Sequence, residues 1–201
     1  MTSAAAPANR PSFQTSEPVR ELRMNITART WGQLVHEVQD GDATYDLPYQ
    51  RGAVWTNEQR MLLIYSILSG TPIPALIVNT RPESMWFDAD GEKLPIYAVI
   101  DGQQRLTTVR MFMEDGLLVP ASWFAAEYVE STEATDDGPY VRWSGLARRQ
   151  QRFVERTAAP VAEGKLSSIA DEAAVYLRVN GSGTPQSDED MARAARIASG
   201  I

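Results

Sequence analysis

Four apolar residues, Tyr97-Ala98-Val99-Ile100, run straight into Asp101-Gly102-Gln103-Gln104-Arg105, and residues 103–113 then suit a helix stopped near Gly116. An uninterrupted apolar run of that length reads as a strand buried on both faces. A buried strand that becomes a helix within two residues implies a layered strand–turn–helix unit, and no other stretch constrains the fold as much. It also sets a helix N-terminus at the edge of a sheet. The first N–H groups of a helix have no partner inside it, and with the helix dipole they make an anion site.

The flanking segments predict the rest of the layers. Residues 22–28 alternate loosely as a first strand, and Thr30 caps a short helix carrying Leu34, Val35 and Val38 before a stop at Gly41. Residues 44–47 read as a brief strand ending at Pro48. Thr56 or Asn57 caps a helix with Met61, Leu62, Tyr65 and Leu68 as apolar positions; Gly70 closes it, and Pro72 and Pro74 forbid its continuation. Residues 75–78 are a further buried strand.

Beyond the central helix, residues 122–129 and 140–143 are expected to pair as strands around an acidic loop of Glu127, Glu130, Glu133, Asp136 and Asp137. Residues 147–156 and 171–179 read as helices, residues 180–186 as a Gly/Pro loop, and Ser187 as the cap of a final helix. Strands and helices alternate first and helices dominate later. The expected fold is therefore α+β, a small mixed sheet flanked by helices with a helical C-terminal extension. Residues 1–20, rich in Ala, Pro and Ser, are expected to form a flexible tail. Residues 21–118 would make the core, and residues 119–201 the strand pair and helical part of the same domain.

Composition then removes whole classes of function. The 201 residues suit one domain, and no apolar run approaches the ~20 residues that span a bilayer. The N-terminus has neither the basic nor the apolar region of a secretory signal, so a cytoplasmic protein is expected. With no cysteine, disulfides, zinc–thiolate sites and thiol nucleophiles are excluded. The one histidine, His36, reads as structural, and it leaves no room for a multi-histidine metal site or an HNH-type nuclease in these residues. Nineteen Lys and Arg against 26 acids give a net charge of −7, so any contact with nucleic acid rests on local patches.

Two constellations carry chemistry. Around the strand–helix turn, Gly102 would let a phosphate approach the backbone, Arg105 would add a charge-assisted contact, and Thr107 and Thr108 offer hydroxyls one turn on. Asp101 with Gln104 also fits a capping box that needs no ligand. The loop is not a Walker A sequence. The second is Pro48-Tyr49-Gln50-Arg51-Gly52-Ala53-Val54-Trp55, where the two aromatics either stack on a base or anchor the core, and Arg51 either serves the cleft or pairs with a local acid. A separate basic stripe, Arg148, Arg152 and Arg156 with Arg149 beside it and Arg142 upstream, is either a solvated face or a track for a DNA backbone. Asp88-Ala89-Asp90-Gly91-Glu92 lacks a full calcium-loop spacing and reads as a turn.

Tyr49-Gln50-Arg51 with Val54-Trp55, the segment Ser66 to Pro74 and the block Ile100 to Thr108, in this order, resemble the N-terminal domain of GmrSD-type, modification-dependent restriction enzymes, in the ParB/sulfiredoxin-like fold group. The resemblance runs over about residues 22–198, and the segment from Tyr176 to Ser187 is similar to that domain's closing part. It implies binding and hydrolysis of an NTP (ATP, GTP or CTP) with Mg²⁺, coupled to restriction or modification of DNA, plain or modified. By position, Gly102, Gln103, Gln104 and Arg105 would cradle phosphates, with Thr107, Thr108 and Gln50 completing the nucleotide site. Asp101 would orient water or a hydroxyl, or hold Mg²⁺, and Arg51 and Arg105 would stabilise transferring charge. Such enzymes cut DNA with a histidine-based nuclease domain, which here would have to come from a partner. One alternative is a ParB-like kinase that phosphorylates hydroxymethylated bases such as 5-hydroxymethyluracil in DNA. The other is a non-catalytic DNA-binding or regulatory module.

Overall fold

The computed structural model describes residues 21–50, 55–88, 90–181 and 188–199. A five-stranded mixed sheet is formed by β1 (Asn25–Thr30), β2 (Ala43–Thr44), β3 (Leu76–Thr80), β4 (Tyr97–Asp101) and β8 (Ala158–Gly164), in the order β1-β8-β3-β4-β2. β8 runs antiparallel to β1 and parallel to β3; β4 is antiparallel to β3 and parallel to β2. A small second sheet joins β5 (Val119–Pro120), β7 (Gly138–Val141) and β6 (Glu133–Thr135) in that order. The α+β expectation holds.

Both faces of the large sheet are covered. On one side α1 (Trp31–Gln39), α2 (Asn57–Ser69) and α3 (Gln103–Met113) bury Leu34, Ile64, Leu106 and Phe112 against Val78, Val99 and Val161. On the other, α5 (Ile169–Gly181) and α6 (Asp188–Ala198) bury Ala173, Tyr176 and Ala194 against Ala98 and Ile100. Val99 thus faces one core and its neighbours Ala98 and Ile100 the other, which is why β4 is apolar without alternation. α4 (Arg148–Arg156) packs on α1 beyond the end of the sheet.

Local chemistry sets the helix ends. Thr30 accepts the N–H of Gln33 at the start of α1, and Thr56 forms a reciprocal capping box with Gln59 at the start of α2. Gly70 closes α2 with φ of +69°. The buried face of α2 is Leu63, Ile64 and Ile67, one residue round from the expected stripe, and Leu62 and Tyr65 are exposed.

Three expectations are corrected. Residues 122–129 form no strand: they make two short 3₁₀ turns, and β7 pairs instead with β5 and β6. β2 is only two residues long because the chain leaves the sheet after Thr44. β8, for which no strand was expected, lies inside the large sheet between β1 and β3. The loop 182–187 and the Ser187 cap lie outside the described residues, as does the tail 1–20. His36 is exposed and pairs with Asp40 at 3.0 Å, and Asp88 accepts the N–H groups of Asp90 and Glu92. Among the described residues no helix is long and apolar enough to cross a membrane.

Candidate functional site

A cleft of about 490 Å³ opens where β4 passes into α3. Its walls are Leu62 and Ser66 of α2, Pro72, Ile73 and Pro74, the turn from Asp101 to Arg105, and Tyr176 and Asn180 of α5, with Gln50 and Trp55 completing it.

Gly102 is the N-cap of α3, with φ of +104°, and has no side chain with which to cap the helix. The capping box read for Asp101 and Gln104 does not form. Asp101 Oδ2 instead accepts a hydrogen bond of 2.5 Å from Arg105 Nη2, and Gln104 Oε1 accepts the Trp55 N–H at 3.3 Å. Among the described residues no side chain accepts the N–H groups of Gln103 or Arg105, so the positive end of the α3 dipole faces the cleft. The glycine has a structural reason as well: a Cβ there would stand 2.8 Å from Leu76 Cγ, in a backbone conformation that side chains rarely adopt. Close approach of a ligand is not needed to explain it.

Arg105 is largely buried. Besides Asp101, its guanidinium donates to the carbonyls of Pro74 and Ala75, so it ties the turn to the start of β3. Gln103 and Gln104 line the cleft beside it. Thr107 and Thr108 do not. The Thr108 hydroxyl donates to the Gln104 carbonyl inside the core, and Thr107 Oγ1 is buried without a partner. Arg51 lies outside the described residues, with residues 52–54.

Gln50 is 8% exposed. Its Nε2 donates to the carbonyls of Val99 at 2.8 Å and Ile100 at 2.6 Å, and its Oε1 is buried with no partner among the described residues. Tyr49 is a core anchor and not a base-stacking platform: it is fully buried, its ring lies 5.6 Å from that of Tyr176, and its hydroxyl donates to Glu172 at 3.1 Å. Trp55 is half-buried and serves both the core and the cleft wall.

Sequence reasoning missed the polar cluster behind the cleft. Glu172, fully buried in α5, takes two bonds of 2.9 Å from Arg81 and one of 2.8 Å from Asn79 Nδ2, in addition to the Tyr49 hydroxyl. Asn79 Oδ1 also accepts the Leu166 N–H at 2.7 Å. Burial lowers the Arg81 pKa, but the bidentate carboxylate more than offsets this and holds it above the ordinary value. Burial and then the Glu172 charge push the Tyr49 hydroxyl far above the usual tyrosine range. One signal was available: Glu172 stands beside Ala173 and one turn before Tyr176, on the apolar stripe of its helix.

The basic stripe divides. Arg148, Arg149, Arg152 and Arg156 surround a shallow hollow on α4 with Phe153, which is 50% exposed. Arg148 pairs with Glu155 at 2.7 Å, and Arg149 lies over the Tyr128 ring at 5.5 Å. Arg152 and Arg156 have no ion-pair partner among the described residues. Arg142 is not part of the patch: it pairs with Glu133 of β6 and donates to the Asp115 carbonyl at 2.5 Å.

No group of three or more metal-ligating side chains occurs among the described residues, so no all-protein metal cage is present in them. Asp101 is the acid that lines the cleft. That donor set fits Mg²⁺ carried on phosphates, which commonly uses one or two carboxylates and keeps several waters.

A five-stranded mixed sheet covered by helices on both faces, with a cleft where β4 passes into α3, defines an α+β domain. The chain matches the GmrSD restriction endonuclease N-terminal domain over residues 32–197, and it belongs to that family. Membership ties it to DNA restriction or modification. No curated protein and no solved structure matches it.

Proposed function

We propose that the cleft binds a nucleoside triphosphate, with its phosphates at the N-terminus of α3, and that the chain hydrolyses it or transfers its γ-phosphoryl group in the course of restriction or modification of DNA. The observation that carries this is the glycine-started N-terminus of α3 beside the Asp101–Arg105 pair in one cleft. Backbone N–H groups of Gln103, Gln104 and Arg105 hold phosphate oxygens, and the Arg105 guanidinium shifts from Asp101 toward the transferring group. Asp101, so released, accepts the proton of the attacking water or hydroxyl. Mg²⁺ on the phosphates supplies further charge neutralisation. Arg51, carried over from the family motif, is assigned to the same cleft.

The α4 patch supports DNA as a partner, because Arg152 and Arg156 are left to meet phosphates and Phe153 can lie against a base or sugar. With DNA as the acceptor, the hydroxyl of a hydroxymethylated base takes the place of water and the enzyme is a DNA-base kinase. Cleavage by a histidine-based nuclease is assigned to a partner.

The test is incubation with γ-labelled ATP, GTP or CTP, Mg²⁺, and plain or hydroxymethylated DNA. Label in free phosphate supports the hydrolase, and label in DNA the kinase. Absence of turnover together with absence of binding by calorimetry would overturn the reading and leave a DNA-binding module.

A further inference from the structure

We infer that Gln50 is a sugar-reading residue: its carboxamide oxygen accepts a hydroxyl of the ribose of the bound nucleotide. The inference rests on the nucleotide reading above and adds a specificity to it. Both protons of the Gln50 amide are used, on the carbonyls of Val99 and Ile100, so the group cannot flip without leaving two carbonyls of β4 unmet. Its oxygen is thereby fixed as an acceptor, buried and without a partner among the described residues, on a residue that lines the cleft. A buried acceptor with no donor is unfavourable, and such groups call for a missing partner.

That partner is a donor located close to the phosphates. Ile100, to which Gln50 is bonded, lies two residues before Gly102, a stretch of at most about 7 Å of chain. The sugar is the part of a nucleotide that adjoins the phosphates, so its hydroxyls fall beside Gln50. The base, further out, has apolar Leu62, Pro72 and Ile73 as contact area, with polar Gln59, Ser66 and Asn180 lining the same cleft. The site thus selects for ribose.

The experiment is calorimetry of the intact chain with ATP, GTP and CTP, their 2′-deoxy and 3′-deoxy counterparts, and inorganic triphosphate. The expected result is about tenfold weaker binding when one of the two hydroxyls is removed, for whichever of the three bases binds. In Gln50→Met the ratio of ribo to deoxy affinity should fall to about one. On the unaltered protein, the Gln50 side-chain amide resonance should move with the ribonucleotide and stay in place with the weaker deoxynucleotide. Equal affinity for the ribo- and both deoxynucleotides would overturn the role of Gln50 and leave the nucleotide site standing. Discrimination that persists in Gln50→Met, or a Gln50 resonance blind to the hydroxyl, would do the same. If neither nucleotides nor inorganic triphosphate bind, both readings fail.

Discussion

The Tyr49 hydroxyl and the Glu172 carboxylate, 123 residues apart in the chain, meet at 3.1 Å in the core. Tyr49 precedes Gln50, and Glu172 lies one turn before Tyr176, so this bond joins the inner wall of the cleft to the helix that closes its far side. The cleft is therefore held from behind by a buried charge network, in addition to the Arg105 and Gln50 bonds in its own wall.

Removing the carboxylate should expose the worth of that network. Glu172→Ala leaves Arg81 buried and unpaired, and urea denaturation should show a loss of roughly 3–5 kcal/mol. The double variant Arg81→Met with Glu172→Leu should recover most of it, because no buried charge remains. Equal losses in the single and double variants would contradict this.

Tyr49 predicts a pH dependence of stability. Its folded pKa is raised above the unfolded value, so its contribution is complete below about pH 10 and declines as pH rises further, where only the unfolded chain loses the proton. Thermal melts from pH 8 to 11.5 should show a steeper alkaline loss for the unaltered protein than for Tyr49→Phe. The comparison with the variant matters because Tyr140, hydrogen-bonded to Asp137, is also raised and contributes to both curves.

Gly102→Ala meets both a positive φ and Leu76, and should lose about 1–3 kcal/mol. Gly70→Ala, with φ of +69° but open space around it, should lose about 1 kcal/mol. Chemical denaturation of the pair separates conformational strain from the packing against Leu76.

At the turn itself, Asp101→Ala and Arg105→Ala should keep the fold by circular dichroism and lower nucleotide turnover at least about a hundredfold. Wild-type rates in both would sink the assignment.

Arg152→Ala and Arg156→Ala should each weaken DNA binding without regard to sequence and reduce the salt dependence by about one unit. Arg142→Ala should leave binding unchanged, since its charge is already answered by Glu133.

What could be read in the sequence was local. The strand–turn–helix around Asp101 and the bounds of α3 follow from an apolar run, a glycine and a helical pattern within 17 residues, from Tyr97 to Met113. The pairing of Arg81 with Glu172 does not, because it joins residues 91 positions apart and periodicity carries no such information. β8 was hidden by its composition. Ala158-Ala159-Pro160-Val161-Ala162-Glu163-Gly164 is a poor strand by propensity, and proline is rare inside a sheet. The register explains its tolerance: β3 pairs with β8 only from Val161 onward, so at Pro160 the sole neighbour is Ala28 of β1. The stripe of α2 was misread by one residue because Leu62 faces the cleft and not the core.

The position of β8 also fixes the order in which the molecule can assemble. β1 meets its neighbour across a separation of 134 residues, and β3 waits for the same strand. A chain released from the ribosome only as far as α4 holds β1 and the β3–β4 pair as two pieces with a slot one strand wide between them. Such long-range closure makes folding slow and leaves unpaired strand edges open to other chains until β8, in the last quarter of the sequence, arrives. Ile26, still 76% exposed on β1 after closure, marks the edge where wrong pairing would begin.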